Sequence, residues 1–230
     1  DFLLSYSQQN GIADMKLMHL SLYDGIIDAV GKINLASSNL PYWISVDIQG
    51  VKIEKLKMDT PGKDKDIAGT IQAQAKINGF SNDLAKLSGQ GRLIITEGKL
   101  WELNLFKGLG RLLFAKDFAS IVFKEGSSDF FIQDKSIFTD NLSMKSEFVD
   151  LSGPLKIGFD NSIDASLNVH VDDKMVPLAG TFKDLTTAII GQAGRFGVIK
   201  ITGTLKEPKY KFQSVAFDII KALKEAFFGK

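Results

Sequence analysis

The stretch LSGQGRLIITEGKLWELNLFKGLGRLLF, residues 87–114, contains the pattern on which the predicted fold depends. Leu93 and Ile95 are separated by one residue, so they share one face of an extended strand. The segment Thr96–Lys99 that follows predicts a tight turn, in which Gly98 supplies a positive φ. The first half of the stretch therefore predicts a strand that reverses direction at residues 96–99.

The second half of the stretch changes from a strand pattern to a helical one. A return strand is expected to begin at Leu100 and Trp101, and a helix is expected from Asn104. Four leucines recur at i, i+4, i+7 and i+8 on one helical face: Leu105, Leu109, Leu112 and Leu113. The stretch thus predicts a hairpin that leads directly into an apolar-faced helix, and none of its residues indicates catalysis.

The composition is that of an ordinary folded protein. The chain has 230 residues, of which 44% are hydrophobic and 24% are charged. A net charge of +1 gives no strong field that would attract nucleic acid or an anionic membrane. The absence of cysteine excludes disulfides, thiolate metal sites and cysteine nucleophiles.

No segment of the sequence is a candidate leader or membrane span. The first residue is Asp1, and no window approaches the roughly 18–20 apolar residues that a spanning helix needs. We therefore expect the sequence to be a fragment or a processed form, with any membrane anchor outside it.

Outside residues 87–114, most of the chain alternates apolar and polar residues with the two-residue period of a half-buried strand. Hairpins are predicted between such segments at Asp24-Gly25, at residues 125–128 and at Asp160-Asn161, and residues 51–58 fit either a strand end or a short helix. The segments are 15–22, 26–35, 42–49, 67–80, 118–124, 129–133, 136–146, 155–159, 163–171 and 198–205. The chain is expected to turn at residues 206–208, and Tyr210 and Phe212 continue the apolar face. Besides the helix from residue 104, helices are predicted at 182–193 and 214–228. No linker rich in Pro, Gly and Ser divides the chain, so residues 1–230 are expected to form one domain.

Two segments about a hundred residues apart carry a resemblance to a known family. The first, from Gly89 to Leu100, reads G-x-G-x-L-x-I-x-E-G-x-L and precedes the predicted helix. The second, from Ile199 to Tyr210, reads I-x-I-x-G-T-L-x-x-P-x-Y and also precedes one. In this order they resemble the C-terminal region of the AsmA-like proteins, envelope proteins of diderm bacteria related to the translocation-assembly protein TamB. The resemblance covers residues 67–228.

The resemblance implies a mainly β fold, with long antiparallel strands in a strongly curved sheet or trough and about three helices capping or covering it. It implies a periplasmic protein, anchored to the inner membrane in its full-length form, with an apolar inner face that conducts phospholipid between inner and outer membranes. Such transport is diffusion along a surface, so neither enzymatic activity nor a cofactor or metal is expected. The expected partners are phospholipid, the membrane through a segment outside this chain, and other envelope proteins, but not nucleic acid.

The residues expected to contact acyl chains are apolar side chains in the predicted strands: Leu93, Ile95, Leu100, Leu167, Val169, Ile199, Ile201, Leu205, Tyr210 and Phe212. The residues alone leave other interpretations open. The apolar face is also typical of the core of a sandwich or of a sheet covered by helices. The predicted helices either cover the sheet or plug the end of the trough. A second function is that of a structural or adaptor domain in outer-membrane protein assembly that pairs strands at an exposed sheet edge.

Candidate catalytic and metal-binding residues are few. The two histidines lie in separate predicted strands, and His170 is on a polar face with Asp164 and Asn168, where a solvated side chain is expected. No serine lies in a nucleophile elbow. A catalytic β domain with an unrecognised site remains as a third interpretation.

Overall fold

A computed structural model describes residues 1–81, 83–100, 122–147, 149–171 and 196–214, with residues 171, 196 and 212–214 described by their backbone only. These ranges contain twelve β-strands. The strands are β1 (Phe2–Gln9), β2 (Ile12–Leu22), β3 (Gly25–Asn34), β4 (Pro41–Lys52), β5 (Ala68–Phe80), β6 (Ser88–Lys99), β7 (Phe123–Gln133), β8 (Ser136–Ser146), β9 (Val149–Gly158), β10 (Ile163–Val171), β11 (Phe196–Gly203) and β12 (Pro208–Ser214).

The twelve strands form one antiparallel sheet in which every strand pairs with its neighbours in sequence. The order is β1 to β12 without a crossover, and the two outermost strands do not pair with each other, so the sheet is open. The predicted mainly β fold with long antiparallel strands is confirmed.

Three two-residue turns with positive φ at both central residues connect strands in this sheet. The turn between β2 and β3 has φ 53° at Tyr23 and 61° at Asp24. The turn between β1 and β2 has φ 52° at Asn10 and 74° at Gly11. Asp134 and Lys135, at 50° and 55°, connect β7 to β8. This geometry matches the right-handed twist of the flanking strands. It confirms the predicted hairpin at Asp24-Gly25, with Gly25 already inside β3.

The hairpin predicted at Thr96–Lys99 is wrong, because β6 continues through these residues. Glu97, not Gly98, has the positive φ, 53°. The register with β5 shifts here: Thr70 pairs with Thr96, and Ala68 with Lys99. An extra residue in one strand is a β-bulge, which uses the same positive φ as a tight turn. The chain keeps its direction, and Leu100, which was predicted to begin a return strand, is a buried residue just after β6.

The hairpin predicted around residues 125–128 is also wrong, because β7 runs through them without a break. The reversal occurs instead at Asp134 and Lys135, which connect Gln133 to Ser136. The hairpin predicted at Asp160-Asn161 is confirmed between β9 and β10. In this turn the hydroxyl of Ser162 bonds to the Asp160 carboxylate and is the main reason why the pKa of Asp160 is lowered. The backbone N–H of Ser162 donates to the same carboxylate and lowers its pKa further.

The described residues contain one short helix and no long one. Helix α1 (Ile53–Leu56) is continued by a 3₁₀ turn at Lys57–Asp59, which resolves the open interpretation of residues 51–58. Another 3₁₀ turn lies at Leu84–Lys86. The three longer helices predicted from residue 104, at 182–193 and at 214–228 fall outside the described residues.

Gly91 lies where two backbones and an aromatic ring come close on one face of the sheet. It pairs with Ala75 on β5 and Phe130 on β7. A Cβ added to it would lie 2.3 Å from the backbone oxygen of Gln74 and 2.5 Å from Cζ of Phe130. A glycine at such a position in a strand lets neighbouring backbone and side-chain atoms come close to it on the face towards which the sheet bends.

We predict that Gly91→Ala lowers the free energy of unfolding by about 1–3 kcal/mol, because the methyl group has no space without a backbone shift. Gly126→Ala is the matched control. Gly126 also lies within a strand, but the nearest atom to an added Cβ is 3.8 Å away. There we expect no loss, or a gain of about 0.4–1 kcal/mol from the restricted unfolded chain. Urea unfolding of the two variants measures both values, and equal stabilities would contradict this account of Gly91.

Candidate functional site

Cross-strand pairing collects apolar residues into continuous rows on one face of the sheet. Directly paired residues share a face. One row crosses β1 to β7 through Leu4, Met18, Ala29, Val46, Ala75, Gly91 and Phe130. Another crosses β4 to β11 through Val51, Ile71, Ile95, Gly126, Met144, Leu151, Val169 and Gly197. We call the surface formed by these two rows and the residues between them the apolar face.

The opposite face of the same strands is polar. A row of paired residues crosses β2 to β7 there, through His19, Asp28, Asp47, Gln74, Arg92 and Asp129. Nδ1 of His19 lies 2.7 Å from Oδ1 of Asp28. Nε2 of Gln74 donates a hydrogen bond of 2.8 Å to Oδ2 of Asp47. The two faces of the sheet thus differ in chemistry along its N-terminal half.

The packing of the apolar face changes from one end of the sheet to the other. On β11, Ile199 and Ile201 are both 0% exposed, and on β9 and β10 the residues Leu151 and Leu167 are buried as fully as a protein core. On β2 to β6 most of the face is only half-buried, and Leu4 on β1 is 45% exposed. The C-terminal strands therefore have a closed core, whereas the N-terminal strands leave their apolar side chains partly open.

An apolar cavity of about 150 Å³ lies between these two regions. Its walls come from six consecutive strands: Leu93 and Ile95 on β6, Phe123 on β7, Leu142 and Met144 on β8, Leu155 on β9, Ala165 and Leu167 on β10, and Ile201 on β11. Gly98, Leu100 and the segment 126–128 complete the lining.

The cavity also shows that the sheet curves. Neighbouring strands are about 4.8 Å apart, so Leu93 on β6 and Ile201 on β11 would be about 24 Å apart across a flat sheet. Both side chains nevertheless line the same cavity. The strands from β6 to β11 therefore curl around it, with the apolar face on the inside.

The predicted contact residues divide into three groups in the structure. Leu93, Ile95, Leu100, Leu167 and Ile201 line the cavity together. Val169 and Ile199 belong to the buried core, and Leu205 and Tyr210 pack against that core. The side chain of Phe212 lies outside the described ones, although its backbone pairs with Ile199.

Polar groups enter the cavity wall at one position. The hydroxyl of Ser128, a lining residue, donates a hydrogen bond of 2.8 Å to Oγ1 of Thr139. Thr139 in turn lies 3.0 Å from Oδ1 of Asn141, whose Nδ2 donates to Asp129 at 2.8 Å. Because the Ser128 hydroxyl is hydrogen-bonded, the cost of removing it from water into an otherwise apolar wall is offset.

The ion pairs of the described residues lie at the polar surface and the sheet ends. A hydrogen bond from Lys99 lowers the pKa of Asp66 beside the end of β6. A hydrogen bond from Lys16 likewise lowers the pKa of Asp14, which Lys32 also approaches at 3.3 Å. The lysines and Asp66 are solvated and Asp14 is partly so, at 17% exposed, so we attribute little stability to these pairs.

Strand β1 was missed by the sequence reasoning, although a signal for it exists. Leu4 and Tyr6 alternate with Ser5 and Ser7, and Asn10-Gly11 is a strong hairpin dipeptide. Its residue Leu4 is the β1 member of the first apolar row.

Within the described ranges, no three His, Cys, Asp or Glu side chains are close enough together to hold a metal ion. In the same ranges no helix combines the length and the apolar character needed to cross a bilayer. Comparisons with protein-family models, curated proteins and solved structures found no match to this chain.

We predict that alanine substitutions on the apolar face lower the free energy of unfolding by very different amounts at its two ends. Ile201→Ala should lower the free energy of unfolding by about 2–5 kcal/mol, because it enlarges the cavity within a closed core. Ile48→Ala, on the half-buried part of the same face, should cost about 1 kcal/mol or less, since less apolar area is lost from contact. Urea denaturation measures both, and equal costs would contradict the difference in packing.

Proposed function

We propose that this chain binds phospholipid acyl chains along its apolar face and lets them move along it, without covalent chemistry. The curved sheet then acts as a trough, with acyl chains inside and phosphate headgroups in water at the rim. The observation that carries the proposal is the change in packing along one continuous face, from a closed core at β9–β11 to half-buried apolar side chains at β2–β6.

A sheet that only formed a core would not need this extended open region. Partly exposed apolar side chains on β2 to β6 are aligned by the register with the buried ones, so one uninterrupted surface continues out of the core. Each Å² of apolar surface that an acyl chain covers contributes about 25 cal/mol. Binding of this kind needs no specific polar contact, and it permits sliding, because successive positions on the face are chemically alike.

The size of the cavity limits what it holds. An apolar cavity of about 150 Å³ admits one benzene-sized molecule, and the cavity at β6–β11 has this volume. We therefore assign to it the end of one acyl chain, and to the open face of β2–β5 the rest of the chain. None of the described lining residues is charged, and the Ser128 hydroxyl is already bonded to Thr139, so the cavity offers a headgroup no charged partner.

The cellular setting of the proposal comes from the resemblance to the AsmA-like proteins. It favours a periplasmic module in outer-membrane biogenesis, part of a protein anchored to the inner membrane, that conducts phospholipid between the two membranes. The segments that carry the resemblance end at Leu100 and at Tyr210, and both contribute side chains to the cavity or to the core around it.

The direct test is to purify the 230-residue chain from a diderm bacterium without detergent and to analyse its organic extract by mass spectrometry. We expect phospholipid at a fixed ratio to protein. A photoreactive diazirine side chain at position 93, on the cavity wall, should form lipid adducts on irradiation. The matched control is position 90 on the same strand, because Gln90 is exposed on the polar face and should form none. An extract without lipid, or equal labelling at both positions, would refute the proposal.

A substitution tests the apolar wall itself. Leu93→Asp removes about 60 Å² of apolar contact at about 25 cal/mol per Å², which corresponds to about tenfold weaker retention of lipid. Gln90→Asp adds the same charge to the polar face and should retain lipid at the level of the unmodified chain. The lipid-to-protein ratio is measured after both variants have been shown by urea unfolding to be folded. Equal ratios in the two variants would contradict binding at Leu93.

A further inference from the structure

We propose that Gly126 determines how much of a hydrocarbon chain end enters the apolar cavity, because it leaves open the space that a side chain at this position would fill. The inference rests on the proposed function, since it assigns that chain end to a phospholipid acyl chain. It follows from the position of Gly126 in the sheet, from the space around it and from its backbone conformation.

Gly126 interrupts a row of large apolar side chains on the apolar face. It pairs with Ile95 on β6 and with Met144 on β8. The row has three large apolar residues on each side of the glycine: Val51, Ile71 and Ile95 towards β4, and Met144, Leu151 and Val169 towards β10. Ile95, Gly126 and Met144 all line the cavity. Because directly paired residues share a face, a side chain at position 126 would point to the cavity.

The space at Gly126 is open. A Cβ added to it would lie 3.8 Å from Cγ of Met144 and 3.9 Å from the backbone oxygen of Ile95, which are ordinary van der Waals distances. The other glycine in the described lining, Gly98, is more crowded. A Cβ added there would lie 3.2 Å from Cγ2 of Ile95. Of these two glycines, Gly126 is therefore the one that leaves room in the cavity.

The backbone does not require a glycine at position 126. A glycine inside a strand usually provides a positive φ at a bulge, or lets another backbone or a ligand come close. Gly126 does not have a positive φ. The register with β8 shifts on either side of it, but Gly126 itself pairs directly with Met144. Apart from its chain neighbours, no described backbone atom lies closer than 3.9 Å to the added Cβ. The approach of a ligand is the reason that remains.

The volume of the cavity limits the ligand to a short hydrocarbon end. A cavity of about 150 Å³ admits a benzene-sized molecule, which has about six carbon atoms. Each methylene group buried there strengthens binding about fourfold. A methyl group at position 126 takes the room of about one of these carbon atoms, so Gly126→Ala should weaken binding about fourfold. The larger side chain of Gly126→Leu should exclude the chain end.

Benzene is the probe that tests the cavity itself. Calorimetric titration of the chain, after its lipid has been extracted, should show saturable binding that is about fourfold weaker in Gly126→Ala and absent in Gly126→Leu. Gln90→Leu is the matched control, because it adds the same side chain to the polar face and should bind benzene as the unmodified chain does. Urea unfolding identifies the folded variants, and Gly126→Ala alone decides if Gly126→Leu is unfolded. No binding to the unmodified chain, or equal binding to Gly126→Ala, would overturn the proposal.

The phospholipid content of the same variants, purified without detergent, tests the assignment to an acyl chain. Loss of two buried methylene groups already corresponds to about a tenfold loss of affinity. Folded Gly126→Leu should therefore contain about a tenth of the phospholipid of Gln90→Leu, or less. If Gly126→Leu loses benzene binding but keeps its phospholipid, the cavity does not hold the acyl end and this inference fails, while lipid binding on β2–β5 stands. An unmodified chain without phospholipid would instead refute the proposed function.

Discussion

The register of cross-strand pairing is the constraint on which the rest of the structure depends. Because side chains alternate between faces, a slip of one residue would move the apolar set of a strand to the polar side. The bulges keep this arrangement intact. One bulge lies at Gly50 on β4, which has a φ of 71°. Ile48 and Val51 are three residues apart, whereas their partners on β5 are two residues apart, and both still pair with apolar residues. A similar shift on β2 keeps both Met15 and Met18 paired with residues of the apolar face.

The same face has two physical roles along its length. Around β9 to β11 its side chains are buried as a conventional core, and their contacts stabilise the fold. Towards β1 equivalent side chains have fewer contacts, so they contribute less to folding and keep apolar surface free. A face that is packed at one end and open at the other fits the proposed acyl-chain ligand, because the core holds the backbone from which the open part continues.

Much of the fold was predictable from the sequence because its two-residue period is strong. The predicted strands around Asp24, at residues 67–80 and around Asp160 agree with β2 to β3, β5, and β9 to β10. The errors at Glu97-Gly98 and at residues 125–128 have a common cause. Small and polar residues inside a long strand give the same local signal whether the chain reverses there or continues, and only the identity of the pairing strand decides between them.

The candidate site was predictable only in part, for a related reason. Sequence alternation identified Leu93, Ile95 and Ile201 as residues of an apolar face, but it contains no information on curvature. Only the curl of β6 to β11 brings those side chains to one cavity and at the same time buries Ile199 completely. Strand β1 was missed because its alternation extends over few residues, none of which is charged.

The simple order of the strands also affects how such a molecule can change in size. Each of the twelve described strands pairs with its neighbours in sequence, so an inserted or deleted hairpin leaves the other registers unaltered. Because a hairpin contributes two strands, the direction of every later strand and the side of every later side chain are preserved. Each such step lengthens or shortens the apolar face by about 10 Å. The distance that this surface spans is therefore adjustable in whole hairpins.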